Sequence, residues 1–362
     1  MPQQTKTFRV FVSSTFDDLK AERNVLQDKV FPELQKLCET NGCRFQAIDL
    51  RWGVSEEAAL DQQTMNICMT ELKRCQDISP RPNFIILLGD RYGWIPLPPQ
   101  IEAVEFEMIL SQVNPEDHKL LVWDEAQPGG GGGWYRLDTN AVPPEYVLRP
   151  RRDEVFAEAD YASWSKTEEQ MRSILRSAIN SLGWPESDQR RIKYECSATH
   201  QEIIEGALKL PDEREHVFAF LRNIQNLDDM PPGSTCADAG VKKAHALKEM
   251  ITQTKGVTSY SYDVICAGLP LITHLDQFAA DTLSALRRII EEEIRQLKQI
   301  DELTREKIAH EGFGKERCRH FIGRQKILDD IAAYIHAGQQ FPLVVYGPSG
   351  SGKSALIAKA VS

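Results

Sequence analysis

A segment near the end of the sequence combines glycines, a lysine and a serine at a spacing that suits phosphate chemistry. Residues 347–354 are GPSGSGKS, preceded by an apolar run at 343–346 and followed by a helix-forming stretch. This strand–loop–helix context is the one that the Walker A pattern requires. Glycines let backbone N–H groups curl around phosphates, the lysine ammonium reaches the β- and γ-phosphates, and the hydroxyl of Ser354 binds Mg²⁺. The predicted ATP- and Mg²⁺-binding residues are Gly347, Gly350, Gly352, Lys353 and Ser354.

The chain continues for only eight residues beyond Ser354. A complete ATPase domain needs several further strands, including one with an acidic residue that holds Mg²⁺. We therefore expect 321–362 to be the incomplete start of an ATPase domain, and the chain to be the N-terminal part of a longer protein. As given, it is not expected to hydrolyse ATP.

The residues just before this motif add a family resemblance. Residues 321–340, FIGRQKILDDIAAYIHAGQQ, resemble the FxGR segment that precedes Walker A in signal-transducing ATPases with numerous domains (STAND), including NACHT-type proteins. In that family the segment packs beside the adenine, which implies cofactor contacts for Phe321, Gly323 and Arg324. By periodicity alone the same residues fit an amphipathic helix that follows a turn.

The first three hundred residues alternate apolar runs with helical patterns, and this alternation predicts an α/β fold with a doubly wound parallel sheet. Pro32 lies inside the first helical pattern and should kink it. We assign 1–300 to this domain, with a long insertion at about 96–193 whose aromatic residues cover the sheet, and 301–320 to a linker. The predicted strands lie at 8–14, 45–50, 83–89, 216–222 and 257–264.

Polar and aromatic residues follow the first three strands. Ligands of doubly wound sheets bind outside the carboxyl ends of the strands, so the topology alone gathers these residues at one edge. Two of them have a second interpretation, because Asp90 and Arg91 could close a turn as a surface ion pair. The loop Tyr92-Gly93-Trp94 could likewise serve packing. The candidate substrate-binding residues at this edge are Ser13, Ser14, Arg51, Trp52, Asp90, Arg91, Tyr92 and Trp94.

Three segments of this region carry a second resemblance. VFVSSTFDDLKAER (10–23), LRWGV (50–54) and ILLGDRYGW (86–94) resemble a TIR-like, flavodoxin-like domain found before STAND ATPases. It occurs in bacteria and in animal relatives of nephrocystin, of NACHT/WD-repeat proteins and of telomerase-associated proteins. The resemblance covers roughly 1–95, 190–225 and 300–362. In this family an S-x-T-x-x-E-I segment opens the helix after the third strand, and here it is 197–203.

The resemblance implies a chemistry for that segment. TIR domains that cleave NAD⁺, and the related nucleoside deoxyribosyltransferases, place one carboxylate there, which holds the ribose hydroxyls and stabilises an oxocarbenium-like centre. Glu202 takes this catalytic position and Ser197 joins the substrate-binding residues, with NAD as the implied substrate. From the residues alone, Thr199 and Glu202 also form a capping box, which explains both without catalysis. Glu105 and Glu107 are a second, lower-ranked carboxylate pair.

Two classes of function stay open for the sheet domain. It is either an effector enzyme, switched on when ATP-dependent oligomerisation assembles it, or a binding module that self-associates or recruits another protein while only the ATPase turns over. The STAND resemblance implies signalling, often in immunity or antiviral defence, with the trigger sensed by a region beyond residue 362. A free-standing nucleoside-processing enzyme is a third interpretation, against which the attached P-loop argues.

Composition excludes several other classes. Among 362 residues, 43 Lys and Arg face 53 Asp and Glu, and a net charge of −10 argues against a general nucleic-acid or anionic-membrane surface. The apolar runs are too short to span a membrane, and the first ten residues have no secretory core. The eight cysteines show no C-x-x-C pair and no zinc spacing with the eight histidines. Reduced thiols in a cytoplasmic protein are therefore expected.

Overall fold

A computed structural model gives the fold of the chain. The segment 51–61, which holds Arg51 and Trp52, lies outside the residues that the structure describes, so the placement of these two candidates is not tested. The described residues are 6–15, 18–50, 62–124, 132–151, 161–209, 216–227, 237–265, 273–299, 302–318, 321–338 and 340–361.

The described residues contain eight strands and thirteen α-helices. Two π-helical turns, Leu26–Val30 and Ile204–Leu208, continue the first and eighth helices. The strands are β1 (Thr7–Ser14), β2 (Arg44–Ile48), β3 (Phe84–Leu88), β4 (Gln100–Glu102), β5 (Tyr135–Asp138), β6 (Glu145–Leu148), β7 (Val217–Ile224) and β8 (Val257–Val264). The helices are α1 (Lys20–Val25), α2 (Phe31–Thr40), α3 (Thr64–Ile78), α4 (Ala103–Leu110), α5 (Pro115–Leu121), α6 (Tyr161–Ser181), α7 (Ile192–Glu195), α8 (Ala198–Ile203), α9 (Val241–Gln253), α10 (Leu275–Gln299), α11 (Glu302–Cys318), α12 (Gln325–His336) and α13 (Lys353–Val361).

The main sheet has the order β2-β1-β3-β7-β8, and all four neighbouring pairs are parallel. These are the five strands predicted from the apolar runs, and the order is that of flavodoxin-like folds. The chain moves from β1 to one side for β2 and to the other side for β3. The switch point therefore lies between β1 and β3, and a crevice is expected outside their carboxyl ends.

Helices cover both faces of this sheet, as the side chains of β1 illustrate. Val10 and Val12 pack with α1, α2 and α10 in one apolar core, whereas Phe11 packs with α3, α8 and α9 in another. Because side chains alternate across a strand, Ser13 lies on the Phe11 side and Ser14 on the Val12 side. The first helical region carries the irregularity expected from Pro32, since the π-helical turn Leu26–Val30 ends just before it.

The insertion builds a core of its own. Strands β4, β6 and β5 form an antiparallel sheet, and its apolar side packs against helices α4 and α6. Trp134, Trp164 and Trp184 are all buried in this core. The expectation that the aromatic residues of the insertion cover the main sheet is therefore wrong, because a segment of this length buries enough apolar surface to form its own packing unit.

The region after residue 300 is mostly helical. Helix α11 occupies the positions expected to be a linker, and it packs on α13, where Gly314 faces Ala358. The run 343–346 does not form the predicted strand, and Tyr346 is 91 % exposed. A strand needs a neighbour to pair its backbone groups, and none of the described strands lies beside this run. None of the described helices is both long and apolar enough to cross a membrane.

Candidate functional site

The site is built around a carboxyl group at the carboxyl end of β1. The hydroxyl of Ser13 donates a hydrogen bond of 2.5 Å to Oε2 of Glu202, which projects from α8. The thiol of Cys68, on α3, hydrogen-bonds the same carboxyl group. All three side chains are buried, and Glu202 is only 7 % exposed. Residues from three distant stretches of sequence therefore meet beside the switch point of the sheet.

Burial determines how Glu202 holds its proton. Removal of the carboxyl group from water raises its pKa above the ordinary 4.5, because the charged form loses solvation. Hydrogen bonds from Ser13 and Cys68, and the charge of Arg23, act in the opposite direction but do not cancel the effect. A buried carboxyl with a raised pKa beside the switch point of a parallel sheet is the kind of group that functional sites use.

Helix α8 shows that the capping-box interpretation of Glu202 is wrong. The N-cap of the helix is Ser197, whose Oγ accepts a hydrogen bond of 3.2 Å from the backbone N–H of His200. The carboxyl group of Glu202 lies on Ser13 instead of returning to the helix start. Ser197 itself is buried and caps the helix, so its side chain already has a structural role.

Ser14 belongs to a second polar cluster, on the other side of β1. The guanidinium of Arg23 donates from Nε to the Ser14 hydroxyl at 2.5 Å and forms an ion pair of 2.8 Å with Asp49. Asp49 follows the last residue of β2. Arg23, on α1, therefore links the carboxyl ends of β1 and β2, at the edge where the site lies.

Asp90 is buried rather than part of a surface ion pair. Its carboxylate accepts hydrogen bonds from the backbone N–H of Ile224 at 2.9 Å, from Nζ of Lys248 at 2.8 Å and from Nε2 of His245 at 2.9 Å. Burial lowers the pKa of Lys248. The surface-pair interpretation of Asp90 and Arg91 is therefore wrong, since Asp90 joins the ends of β3 and β7 to α9.

The loop after β3 brings two aromatic side chains to the edge. The hydroxyl of Tyr92 lies 2.7 Å from Nδ1 of His200, one helical turn from the start of α8. Burial, with the charge of Lys243, lowers the pKa of His200 to about 4. Trp94 is 45 % exposed and donates its indole N–H to Glu168 in the insertion. Tyr92 therefore contacts α8, the helix that carries Glu202.

The lower-ranked carboxylates lie elsewhere. Glu105 is on α4 of the insertion, where it accepts a hydrogen bond of 2.5 Å from the hydroxyl of Tyr194 and pairs with Lys193 at 2.9 Å. Glu107, on the same helix, is exposed. Glu105 therefore joins two parts of the insertion.

Two glycines of the glycine-rich segment have left-handed backbone conformations. Gly350 and Gly352 have φ of 78° and 75°, values that favour glycine, and α13 begins at Lys353. Nζ of Lys353 donates to the carbonyl oxygens of Gly347 and Pro348 at 2.9 Å each. A Cβ on Gly352 would lie 3.6 Å from a guanidinium nitrogen of Arg324. The FxGR segment therefore lies beside the glycine-rich loop.

The six described cysteines, at positions 38, 43, 68, 75, 196 and 318, are free thiols. Burial raises the pKa of Cys38 and of Cys75 to about 12, so these thiols stay protonated near neutral pH.

Comparison with known proteins finds one matching domain model and several distant relatives. Residues 9–116 match the model of a domain of unknown function (DUF4062). The chain is 28 % identical to mouse NACHT domain- and WD repeat-containing protein 1 over 94 % of its own length and 23 % of the relative. It is 26 % identical to human NACHT and WD repeat domain-containing protein 2 over 98 % of its length and 22 % of the relative. The relation to the NACHT proteins is distant.

A third relative is similar over nearly the whole chain at lower identity. Rat telomerase protein component 1 is 22 % identical over 99 % of this chain, which covers 11 % of that protein. The chain thus spans less than a quarter of the length of each of these relatives. No solved structure matches the chain.

Several residues that shape the site were not predicted from the sequence. Asp18, Glu22 and Arg222 form a buried ionic cluster, in which Arg222 lies 2.8 Å from each acid. His274 and Tyr262 also contact Glu22, at 2.9 and 3.4 Å. A usable signal was present, because Asp18, Glu22 and Arg23 fall within the segment 10–23, where acids and an arginine interrupt an apolar helical pattern.

Proposed function

We propose that this chain is the effector region of a NACHT/STAND-type signalling ATPase, in which ATP-dependent self-association activates the sheet domain to cleave NAD⁺ or a related nucleotide. The observation that carries the enzymatic part is the position of Glu202: its carboxyl group lies at the switch point, bonded to Ser13. The distant relation to proteins whose names contain NACHT and WD repeat domains supports the signalling part.

The chemistry follows from the charge that develops during cleavage. When the bond between C1′ of the ribose and the nicotinamide nitrogen breaks, both electrons leave with the nitrogen and positive charge appears at C1′. The ionised carboxylate of Glu202 stabilises this charge. The oxygen of a water molecule then attacks C1′, and the surplus proton passes to solvent. The products are nicotinamide, ADP-ribose and one proton.

The remaining edge residues supply binding. The half-exposed indole of Trp94 offers a face on which a base can stack. The hydroxyl of Tyr92, which lies against His200 of α8, would contribute a polar contact to the substrate. In this proposal the substrate-binding residues are Ser13, Ser14, Arg51, Trp52, Asp90, Arg91, Tyr92, Trp94 and Ser197.

The glycine-rich loop fits ATP with Mg²⁺. Its glycines, two of which have positive φ, carry no side chain where phosphate would lie. The ammonium of Lys353 hydrogen-bonds the carbonyl oxygen of Gly347 in the same loop. Bound ATP supplies the energy and the on–off signal for self-association. Gly347, Gly350, Gly352 and Lys353 would hold the phosphates and Ser354 the Mg²⁺. Phe321, Gly323 and Arg324 would lie by the nucleotide.

One observation favours the binding module as the second candidate. Glu202 is 7 % exposed, and Ser13 and Cys68, its hydrogen-bond partners, are buried as well. In this conformation little of the carboxyl group is open to a ribose. A sheet domain that keeps this arrangement would self-associate or recruit a partner without turnover.

The test measures nicotinamide release from NAD⁺ by the full-length protein, with ATP and Mg²⁺, over a range of protein concentrations that permits self-association. Glu202→Gln keeps the size of the side chain and one acceptor oxygen for the Ser13 hydroxyl but removes its charge. Glu205→Gln is the matched control, since Glu205 lies one turn further on and pairs with exposed Lys209. Release that is lost only in Glu202→Gln supports the enzyme. Release equal in both variants, or absent throughout, overturns it in favour of the module.

A further inference from the structure

Arg23 is a buried cation at the edge where Glu202 lies. Besides the hydroxyl of Ser14, its guanidinium contacts the carbonyl oxygen of Ser14 at 3.4 Å and the carboxylate of Asp49 at 2.8 Å. The side chains of Arg23 and Asp49 are each 3 % exposed. A guanidinium presents its donors in a rigid fork, so these contacts fix the backbone of β1 at its last residue.

The fixed residue is the neighbour of Ser13, which donates to Glu202. A shift of Ser14 along the strand would move the Ser13 hydroxyl with it, because the two share a peptide unit. Arg23 and Glu202 lie on opposite sides of β1, so the guanidinium acts on the carboxyl group through the strand and through its charge, without direct contact.

The charge of Arg23 reaches two groups on the far side of the strand. It lowers the pKa of Glu202 and that of Cys68, and in both cases burial outweighs it. Among the residues that the structure describes, the titratable groups around the carboxyl are Cys68 from α3, Arg23 from α1, and Asp49, which shares the charge of Arg23. On α8 itself, His200 bonds Tyr92 and Glu205 pairs with Lys209.

We propose that Arg23, in its pair with Asp49, is the positioning residue of the Glu202 site: it fixes Ser13 against the carboxyl group and supplies the positive charge against which Glu202 ionises. This inference rests on the proposed cleavage for its role in activity, but its effect on ionisation stands by itself. The negative charge of Asp49 partly offsets the positive charge of Arg23, so the two residues shift the ionisation of Glu202 in opposite directions.

Substitutions of Arg23 and Asp49 should shift the pH at which Glu202 ionises in opposite directions, which distinguishes this role from a purely structural one. Arg23→Met removes the charge and raises the pH at which Glu202 ionises, whereas Asp49→Asn leaves the charge unshared and lowers that pH. Arg23→Lys keeps the charge but loses the fork, so kcat falls while the ionisation pH stays. Because Arg23→Met removes the cation beside the buried carboxylate of Asp49, the double variant Arg23→Met/Asp49→Asn serves if the single one does not fold.

The experiment follows the carboxyl carbon of Glu202 by ¹³C NMR against pH, in the full chain labelled at the glutamate carboxyl. The resonance is assigned as the one lost in Glu202→Gln. Nicotinamide release is measured over the same pH range. The expected result is an upward shift of the titration in Arg23→Met relative to the natural chain, or in the double variant relative to Asp49→Asn, and a downward shift in Asp49→Asn, with the acid limb of the rate profile moving in step.

The outcomes are separable from those of the proposed cleavage. Identical titrations in all folded variants overturn the inference even if release depends on Glu202. Shifts of the same sign in Arg23→Met and Asp49→Asn overturn it too, because they mean general disturbance of packing. Shifts of opposite sign without nicotinamide release support the role of Arg23 in ionisation and reject the cleavage.

Discussion

Arg222 and Asp18 form an ion pair of 2.8 Å in which both side chains are completely buried. The pair joins β7 to the loop after β1, although β3 lies between these two strands. It crosses the end of β3 at Gly89, where a Cβ would lie 2.6 Å from a carboxyl oxygen of Asp18 and 2.9 Å from a guanidinium nitrogen of Arg222. Position 89 has no side chain because the ion pair occupies that space.

Replacement of Arg222 should therefore be costly. Arg222→Met leaves the carboxylates of Asp18 and Glu22 without their shared cation, and the loss of one partner of a buried pair costs about 3–5 kcal/mol. The free energy of unfolding is measured by urea titration. Arg287→Met is the control, since its pair with Glu291 is exposed and worth less than about 1 kcal/mol. Equal losses in the two variants would contradict the burial argument.

A methyl group at position 89 tests the crossing itself. Gly89→Ala forces the Asp18–Arg222 pair aside, and overpacking of this kind costs about 1–3 kcal/mol. Gly132→Ala is the matched control, because nothing lies within 4 Å of a Cβ there. Thermal unfolding of the two variants should show a lower midpoint for Gly89→Ala alone. An unchanged midpoint would mean that the pair does not cross β3 as described.

Glu202 should make the protein less stable as the pH rises. Its pKa is raised in the folded state, so the unfolded chain gives up the proton first, near pH 4.5, and stability is lost from there until the folded carboxyl ionises. Glu202→Gln does not ionise. Its free energy of unfolding relative to the natural protein should therefore increase from pH 4 to pH 7. A difference that is independent of pH would refute this.

The fold was predictable because its signals are local. Strands β1, β3 and β7 are apolar runs flanked by helical patterns, and alternation then implies parallel pairing. The run 343–346 has the same local signal and forms no strand, since strand formation depends on a neighbour that local sequence does not supply. The tryptophans of the insertion were misplaced for a related reason: composition indicates burial but not the surface against which a residue is buried.

The site was predictable in outline only. Topology predicts Ser13 and Tyr92 at one edge, and the family resemblance adds Glu202. In the structure Ser13 bonds Glu202, and Tyr92 contacts His200 of the same helix. The partners of Glu202 were not predicted, because Cys68 and Arg23 have no spacing relation to it. The T-x-x-E pattern predicted a capping box. In the structure Ser197 occupies the N-cap instead, and the hydrogen bond from Ser13 holds the carboxyl group of Glu202 away from the start of the helix.

The true cap of α8 can be tested by substitution. Ser197→Ala removes the acceptor of the His200 N–H and should cost about 1 kcal/mol, whereas Ser197→Gly should cost only a few tenths, because glycine is tolerated at an N-cap. Chemical denaturation at neutral pH measures both. If Ser197→Ala is neutral, the helix does not depend on this cap and its start at Ala198 needs another cause.

Lys353 should determine nucleotide affinity. Its ammonium bonds two carbonyl oxygens of the glycine-rich loop, and in the proposed role it exchanges them for phosphate oxygens. A hydrogen bond to a charged group is worth about 1.5–3 kcal/mol, so Lys353→Ala should weaken binding of a fluorescent ATP analogue roughly 10- to 150-fold. Fluorescence polarisation with Mg²⁺ measures the affinity.

The control is Lys359→Ala, which replaces an exposed lysine on the same helix and should bind as the natural chain does. Equal affinity of Lys353→Ala and Lys359→Ala would remove the glycine-rich loop from the nucleotide site, because the affinity would then reside outside the predicted phosphate contacts.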